Sequence, residues 1–159
     1  MSAPERLILR TDDPLQMVDV TDAVAAVVAG AGLADGVASV FCPHTSCGLA
    51  VTEAEDGLHA DLASVLEELA PVGRAWAHDD FTRRWQNLEP QERPNGWSHV
   101  RGLLVTQPSV VLPVLDGALW LGEWQRLFLV ELDGPRPART LVVQAWGRPA
   151  PGNDAGDCV

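Results

Sequence analysis

The sequence predicts an α+β domain in which helices are interspersed among hairpins instead of alternating strictly with strands. Two observations support this class. A stripe of apolar side chains at helical spacing runs from Leu58 to Leu69, whereas the last third of the chain contains short strands separated by Asp-Gly turns. The 159 residues suffice for one domain with one core. We therefore expect a single domain over residues 1–147, followed by a flexible tail at 148–159 that is rich in Pro, Gly and Asp.

The individual elements follow from periodicity and from turn residues. Thr21 and Asp56 are expected as helix caps, and Pro71 ends the second helix. The irregular segment 75–94 is expected to be a long ordered loop that lines a site. The predicted strands are 5–10, 37–42, 49–53, 110–114, 118–121, 125–131 and 140–146, and the predicted helices are 22–29, about 58–69 and about 95–104.

Charge and apolar patterning restrict the classes of partner. A formal net charge of −11 gives a surface that repels phosphate backbones, so no general nucleic-acid binding is expected. No apolar stretch approaches the roughly 20 residues that span a bilayer, so no membrane partner is expected either. The first residues lack the basic and then apolar pattern of a signal peptide, which predicts a cytoplasmic location.

The eleven basic residues are all arginines, since the sequence contains no lysine. Schiff-base catalysis by a lysine amine is therefore excluded, and so is a Gly-Lys-Ser/Thr phosphate loop. Any phosphate group must be held by arginines, backbone N–H groups, hydroxyls or a metal. A local pocket can differ in sign from the whole surface, so a small phosphorylated substrate remains compatible with this composition.

The first polar group follows the apolar strand at 37–42. Pro43 ends that strand, so His44 emerges just beyond it together with Thr45 and Ser46. Hydroxyls and free N–H groups in such a turn can hold phosphate oxygens, although the same residues also serve as ordinary turn formers.

Glu53 and Asp56 form an acid pair shortly after this turn. A carboxylate can take a proton or orient an imidazole, so His44, Glu53 and Asp56 are the predicted catalytic residues. Capping of the following helix is the alternative role for Asp56. Arg136, after the Asp-Gly turn at 133–134, is a candidate phosphate clamp, with a surface arginine as the alternative.

Two further histidines lie in polar surroundings. His78 falls in the irregular loop, and His99 follows Asn95, which either binds substrate or caps the third helix. His44, His78 and His99 with a water would suit a catalytic zinc-type site, so a divalent metal, zinc or magnesium, is the expected cofactor. Alternatively, one histidine acts as a general base while the others position the substrate.

Taken in order, several motifs resemble the YjbQ-like family, also described as the secondary thiamine-phosphate synthase family. They are His-Thr-Ser at 44–46 with the acid pair behind it, Trp-Ala-His-Asp at 76–79, Asn95 through His99 with Leu-Leu at 103–104, Val-Leu-Pro-Val at 111–114, the run from Asp to Trp-Gln at 116–125, and Asp-Gly-Pro-Arg at 133–136. The match extends from about residue 7 to about residue 147. Each motif is weak alone, but the ordered set is specific.

The resemblance implies a mixed or antiparallel sheet that forms a pseudo-barrel with two or three helices, assembled as a homotrimer. It also implies a weak activity that joins hydroxymethylpyrimidine diphosphate to thiazole phosphate, giving thiamine phosphate and pyrophosphate. Gln125 matches the glutamine of the family's Trp-Gln pair. With Thr45, Ser46, Asn95 and Arg136 it completes the expected substrate-binding set.

The chain departs from the family's pattern at three positions. Thr52 stands where the family often has Asn, Trp76 where it often has Tyr, and Gly96 where it favours Ala. These changes leave the titratable groups intact and bear instead on substrate fit. A rival hypothesis explains the same polar residues by a non-catalytic trimeric protein that holds a small anion or metabolite.

Overall fold

The computed structural model describes residues 2–151 and confirms the α+β class. Within these residues lie eight strands, three α-helices and one short 3-10 turn at Ala77–Asp79. The elements are β1 (Glu5–Thr11), β2 (Gln16–Asp19), α1 (Thr21–Gly30), β3 (Leu33–Phe41), β4 (Cys47–Glu53), α2 (Asp56–Leu69), α3 (Gly96–Val105), β5 (Ser109–Leu115), β6 (Ala118–Leu119), β7 (Gln125–Glu131) and β8 (Arg136–Pro149).

The strands pair into two antiparallel sheets. One sheet has the order β1–β8–β3–β5–β6, and the other has the order β2–β7–β4. Buried side chains from both sheets, such as Val40, Leu141 and Leu129, form one apolar cluster with the valines of α1. This shared core explains why the α1 sequence is almost uniformly apolar.

Strand β7 is buried on both faces. Leu127 and Leu129 join the main core, whereas Phe128 and Val130 pack with Leu66 of α2 in a second cluster. Successive side chains of a strand point to opposite faces, so a strand covered on both sides is apolar without interruption. The run at 127–130 therefore belongs to the interior of this chain.

Asp116 and Gly117 form the hairpin turn between β5 and β6, as predicted. Their φ angles are +50° and +78°, the left-handed values that a two-residue turn of this type requires. Glycine adopts this region without a steric penalty, which accounts for the Asp-Gly dipeptide.

Both predicted helix caps differ in the structure. Thr21 is the first residue of α1, and its hydroxyl accepts a hydrogen bond from the backbone N–H of Leu127 at 2.7 Å instead of capping the helix. Glu55, not Asp56, caps α2, because its carboxylate accepts the N–H groups of Gly57 and Leu58 at 2.6 and 2.7 Å. Asp56 is an exposed residue of the first turn.

Strand β8 continues beyond the expected domain end at residue 147. Leu33 pairs with Pro149 and Asp35 with Arg148, so both residues belong to the sheet instead of the tail. The remainder of the expected tail, residues 152–159, lies outside the described residues. Among residues 2–151, no helix is both long and apolar enough to cross a bilayer.

Candidate functional site

A polar pocket of about 660 Å³ lies between the 75–95 segment, the start of α3 and the turn before β8. The expected site residues His78, His99, Asn95, Arg136 and Thr45 all contribute to its lining. This segment was expected to line a site. The pocket therefore brings together two of the three predicted histidines and three of the five predicted substrate-binding residues.

Two arginines of this pocket share one buried carboxylate. Nη2 of Arg93 donates to Oδ1 of Asp133 at 3.1 Å, and Nη2 of Arg136 donates to Oδ2 of the same residue. Asn95 Nδ2 also donates to this Oδ2, at 3.0 Å. The Arg93 and Arg136 side chains remain 49% and 35% exposed. Two partly exposed guanidinium groups thus share a single carboxylate at this pocket.

The third arginine of the pocket, Arg84, has partners other than Asp133. It is ion-paired with Glu92, and its Nη1 lies 3.0 Å from Nε2 of His78. The exposed Glu89 also lines the pocket. With Glu89, Glu92 and Asp133 against Arg84, Arg93 and Arg136, the formal charges at the pocket cancel, and the two guanidinium groups that share one carboxylate are those of Arg93 and Arg136.

The rings of His78 and His99 lie against each other in the lining of this pocket. Their ring centroids are 4.5 Å apart with the planes tilted by 52°. Nδ1 of His99 lies 3.0 Å from the carbonyl oxygen of Thr45 and donates to it, so Nε2 keeps its lone pair. Burial, followed by the neighbouring His78, lowers the pKa of His99, which favours this neutral form at pH 7.

Asp79 fixes the loop that carries His78 to the beginning of α3. Its Oδ1 accepts the backbone N–H groups of Asn95 and Gly96, both at 2.9 Å. A carboxylate at this position satisfies two free donors of the helix N-terminus. Asp79 thereby holds His78 close to the helix that carries His99.

A second, more apolar pocket of about 390 Å³ adjoins the first and shares Thr45 and His99 with it. Its lining also includes His44, Cys47 and Leu103. The predicted third histidine therefore lines a neighbouring cavity instead of the polar pocket.

A hydrogen bond to the backbone excludes His44 from the predicted metal-ligand set. Its Nε2 accepts the backbone N–H of Thr140 at 2.9 Å, so this lone pair is already used and the neutral ring carries its proton on Nδ1. Burial, with a further contribution from Arg139, lowers the pKa of His44 and maintains the neutral ring. Among residues 2–151, no group of three or more His, Cys, Asp or Glu side chains is arranged to hold a metal.

Ser46 has a structural role instead of the expected substrate contact. It is buried, and its hydroxyl accepts from Nη2 of Arg139 at 3.1 Å. Arg139 in turn donates two hydrogen bonds, at 2.7 and 2.6 Å, to the fully buried Glu131. Burial alone would raise the pKa of Glu131, but the Arg139 bonds and the N–H of Asp133 hold it below its usual range. This ion pair anchors the turn that carries His44 and Thr45.

Three other predicted residues lie away from both pockets. Glu53 and Gln125 are register partners at one end of the β4–β7 pair, whereas the His44 turn adjoins the other end, at Cys47. The length of β4 separates the two ends by about 20 Å. Oε1 of Gln125 accepts the N–H of Gly122 at 2.9 Å and so stabilises its own turn. Within one chain, Glu53 and the exposed Asp56 therefore cannot assist His44, which corrects the predicted catalytic set.

Sequence reasoning missed Arg84, Arg93 and Asp133. The signal for the arginines was present, because the loop expected to line a site contains Arg84 and Arg93 in a protein without lysine. Asp133 appeared only as a turn residue, since two of its three donors, Arg93 and Asn95, lie 40 and 38 residues away in the sequence.

Comparison with protein families identifies a match over nearly the whole chain. A family model described as UPF0047 protein YjbQ-like matches residues 5–148. A UPF0047 protein of Archaeoglobus fulgidus is 35% identical over 136 residues, which cover 86% of this chain and 96% of that protein. The UPF0047 protein YugU of Bacillus subtilis is 30% identical over 142 residues, covering 89% of this chain and 97% of YugU.

Solved structures show the same fold. A YbjQ-like protein of unknown function from Sulfolobus solfataricus superposes with a TM-score of 0.79 at 29% identity, covering 92% of this chain and 97% of that one. A hypothetical protein from Aeropyrum pernix gives a TM-score of 0.78 at 32% identity, covering 92% of this chain and all of its own.

Proposed function

This chain belongs to the UPF0047 YjbQ-like family, and for this member we propose an enzyme that binds phosphorylated heterocycles and has thiamine-phosphate synthase activity. The carrying observation is that Arg93 and Arg136 share the single carboxylate of Asp133 at a pocket that also contains His78 and His99. The exposed parts of these two guanidinium groups can bind the oxygens of a diphosphate with directional hydrogen bonds.

The proposed reaction requires charge stabilisation more than proton transfer. The ring nitrogen of thiazole phosphate forms a bond to the methylene carbon of hydroxymethylpyrimidine diphosphate. The bond from this carbon to the diphosphate oxygen breaks, and pyrophosphate leaves with the electron pair. Arg93 and Arg136 stabilise the charge that develops on the departing pyrophosphate. No proton has to be removed, so the distant Glu53 and Asp56 are not needed as bases.

The expected divalent metal remains part of the proposal with a reduced ligand set. His99 fits because Nδ1 donates to Thr45 and leaves Nε2 free. His78 would have to give up its contact with Nη1 of Arg84, which lies 3.2 and 3.0 Å from its two ring nitrogens, before it could join His99. A divalent ion held there would neutralise charge on the diphosphate. The chain's own residues bind and orient the diphosphate in either case.

We also propose that the protein assembles as a homotrimer. Ile8, Phe41, Val111 and Trp146 are 62%, 44%, 60% and 40% exposed. The strand register puts them together on the face of the five-stranded sheet that points away from the core. An exposed apolar face of this kind is typical of a subunit interface. Light scattering on purified protein tests the assembly, and a monomeric mass contradicts it. A cytoplasmic location and the lack of nucleic-acid and membrane partners remain predictions.

Purified full-length protein, incubated with both substrates, tests the activity by chromatographic detection of thiamine phosphate. Arg136→Gln should lower kcat/KM by about 100-fold, the usual effect of removing one charge-stabilising donor, while Asp133 keeps Arg93 and Asn95 as partners. Arg148→Gln is the matched control, since Arg148 pairs with Asp35 at the other end of β8.

The outcomes separate the enzyme from its rival. Pyrophosphate binding without product formation contradicts catalysis and supports the non-catalytic binding protein. If neither binding nor product is observed, the anion site itself is wrong. Equal activity of Arg136→Gln and Arg148→Gln removes Arg136 from the proposed machinery.

A further inference from the structure

The apolar pocket has no role in the anion binding described above, although it adjoins the polar pocket directly. Thr45 and His99 belong to the lining of both cavities. A ligand whose phosphates lie near Arg93 and Arg136 can therefore extend past His99 into the second cavity. This continuity favours another part of the same phosphorylated ligand as the occupant.

The polar groups of the apolar pocket are few, and their hydrogen-bonding roles are determined. His44 accepts a hydrogen bond from Thr140 through Nε2, so its Nδ1–H is the ring atom that can donate. The Thr106 hydroxyl donates to the carbonyl of Gly102 at 2.8 Å, so it can act toward a ligand only as an acceptor. Leu103 and Cys47 supply apolar surface. A cavity with apolar walls, a donor at His44 and acceptors at Thr106 and at Nε2 of His99 suits an uncharged aromatic ring that contains a ring nitrogen.

We infer that this pocket binds the uncharged nitrogen heterocycle of the ligand whose phosphates occupy the polar pocket, and that Gly102 and Leu103 limit the size of that ring. The inference rests on the proposed function, because it assigns the ring of the same phosphorylated ligand. It adds a binding site for the heterocycle, and anion binding alone would not require this site. Burial of one such ring strengthens binding by about 10- to 100-fold relative to the diphosphate alone.

Gly102 allows a direct test. A Cβ at this position would lie 3.7 Å from both the Thr45 oxygen and Leu132 Cδ1, which is ordinary van der Waals contact, so Gly102→Ala narrows the pocket without a clash. Calorimetry should give binding of hydroxymethylpyrimidine diphosphate that is about 10-fold weaker in Gly102→Ala than in wild type, with unchanged binding of inorganic pyrophosphate. Gly30→Ala, in a helix where an added Cβ meets no atom within 4 Å, should change neither.

Two neighbouring leucines provide a second matched pair that does not depend on filling the cavity. Leu103 is 88% exposed and lines the pocket, whereas Leu104 is 55% exposed and is absent from its lining. Leu103→Ala should weaken binding of the pyrimidine diphosphate by about fivefold, the effect of losing part of one apolar wall. Leu104→Ala should leave it unchanged.

The results distinguish this inference from the proposed function. If wild type binds pyrophosphate and the pyrimidine diphosphate equally well, or if Gly102→Ala weakens both ligands equally, the ring site is wrong and the anion site stands. The ring site is also wrong if Leu103→Ala and Leu104→Ala behave alike. If wild type binds neither ligand, the proposed function fails and the ring site fails with it.

Discussion

Gly96, the first residue of α3, packs directly against Trp76, and a Cβ built on Gly96 would lie 2.6 Å from the Cβ of Trp76 and 3.2 Å from that of His78. Gly96 and Trp76 are two of the three positions at which the chain departs from the pattern of its family. Two of the departures therefore meet in one contact, and the segment that carries Trp76 and His78 approaches the helix more closely than a side chain at 96 would permit. The distance between this segment and α3 also determines how His78 meets His99.

Gly96→Ala should destabilise the protein, although alanine is normally preferred to glycine in a helix. The added methyl would force the loop away from α3, and overpacking of this kind costs about 1–3 kcal/mol. Urea unfolding measures the change in the free energy of unfolding. Gly30→Ala is the control, since that helical glycine has open space around it. A gain in stability for Gly96→Ala would contradict the tight approach.

Acidification should titrate His44 and His99 only below the usual histidine pKa of about 6.5. Burial is the largest cause of the lowered pKa in both residues, with Arg139 adding to it for His44 and His78 for His99. Since the unfolded chain then binds more protons than the folded one, the free energy of unfolding should fall as the pH decreases from about 6.5 toward the folded pKa values. NMR titration of the histidine ring signals measures the two pKa values, and midpoints at or above 6.5 for both residues would contradict the prediction.

Glu131→Gln should be strongly destabilising. The substitution leaves the guanidinium of Arg139 buried without its carboxylate, and breaking such a pair costs about 3–5 kcal/mol. Asp22→Asn is the control, because Asp22 pairs with Arg126 at an exposed position where an ion pair contributes about 1 kcal/mol or less. Chemical unfolding of both variants gives the comparison. Similar losses in the two would show that the Glu131–Arg139 pair is not a principal support of the fold.

Local patterns predicted the fold well because turn chemistry and side-chain periodicity act over a few residues. The Asp116-Gly117 turn, the third helix and the apolar strand at 125–131 all follow from neighbouring residues in the sequence. The end of β8 was less predictable, since Arg148 and Pro149 join the sheet only through pairing with Asp35 and Leu33. Strand β2 was missed because its Gln-Met-Val-Asp sequence has little periodicity.

The site was predictable in its residue types but only partly in their grouping. His78 and His99 meet because Asp79 holds their segments together, a contact between loop and helix that no spacing rule provides. Glu53 is close to His44 along the chain, yet the seven residues of β4 place it at the opposite end of its sheet. Proximity in sequence is a poor guide to proximity in space wherever an extended strand intervenes.

Because Asp79 already accepts the first N–H groups of α3, the binding of anions at the polar pocket should depend on ionic strength. A helix terminus that is already satisfied by a carboxylate offers little to an incoming anion, so attraction toward this pocket must come mainly from the partly exposed guanidinium groups of Arg93 and Arg136. Dissolved salt screens exposed charges of this kind far more than it screens buried backbone donors.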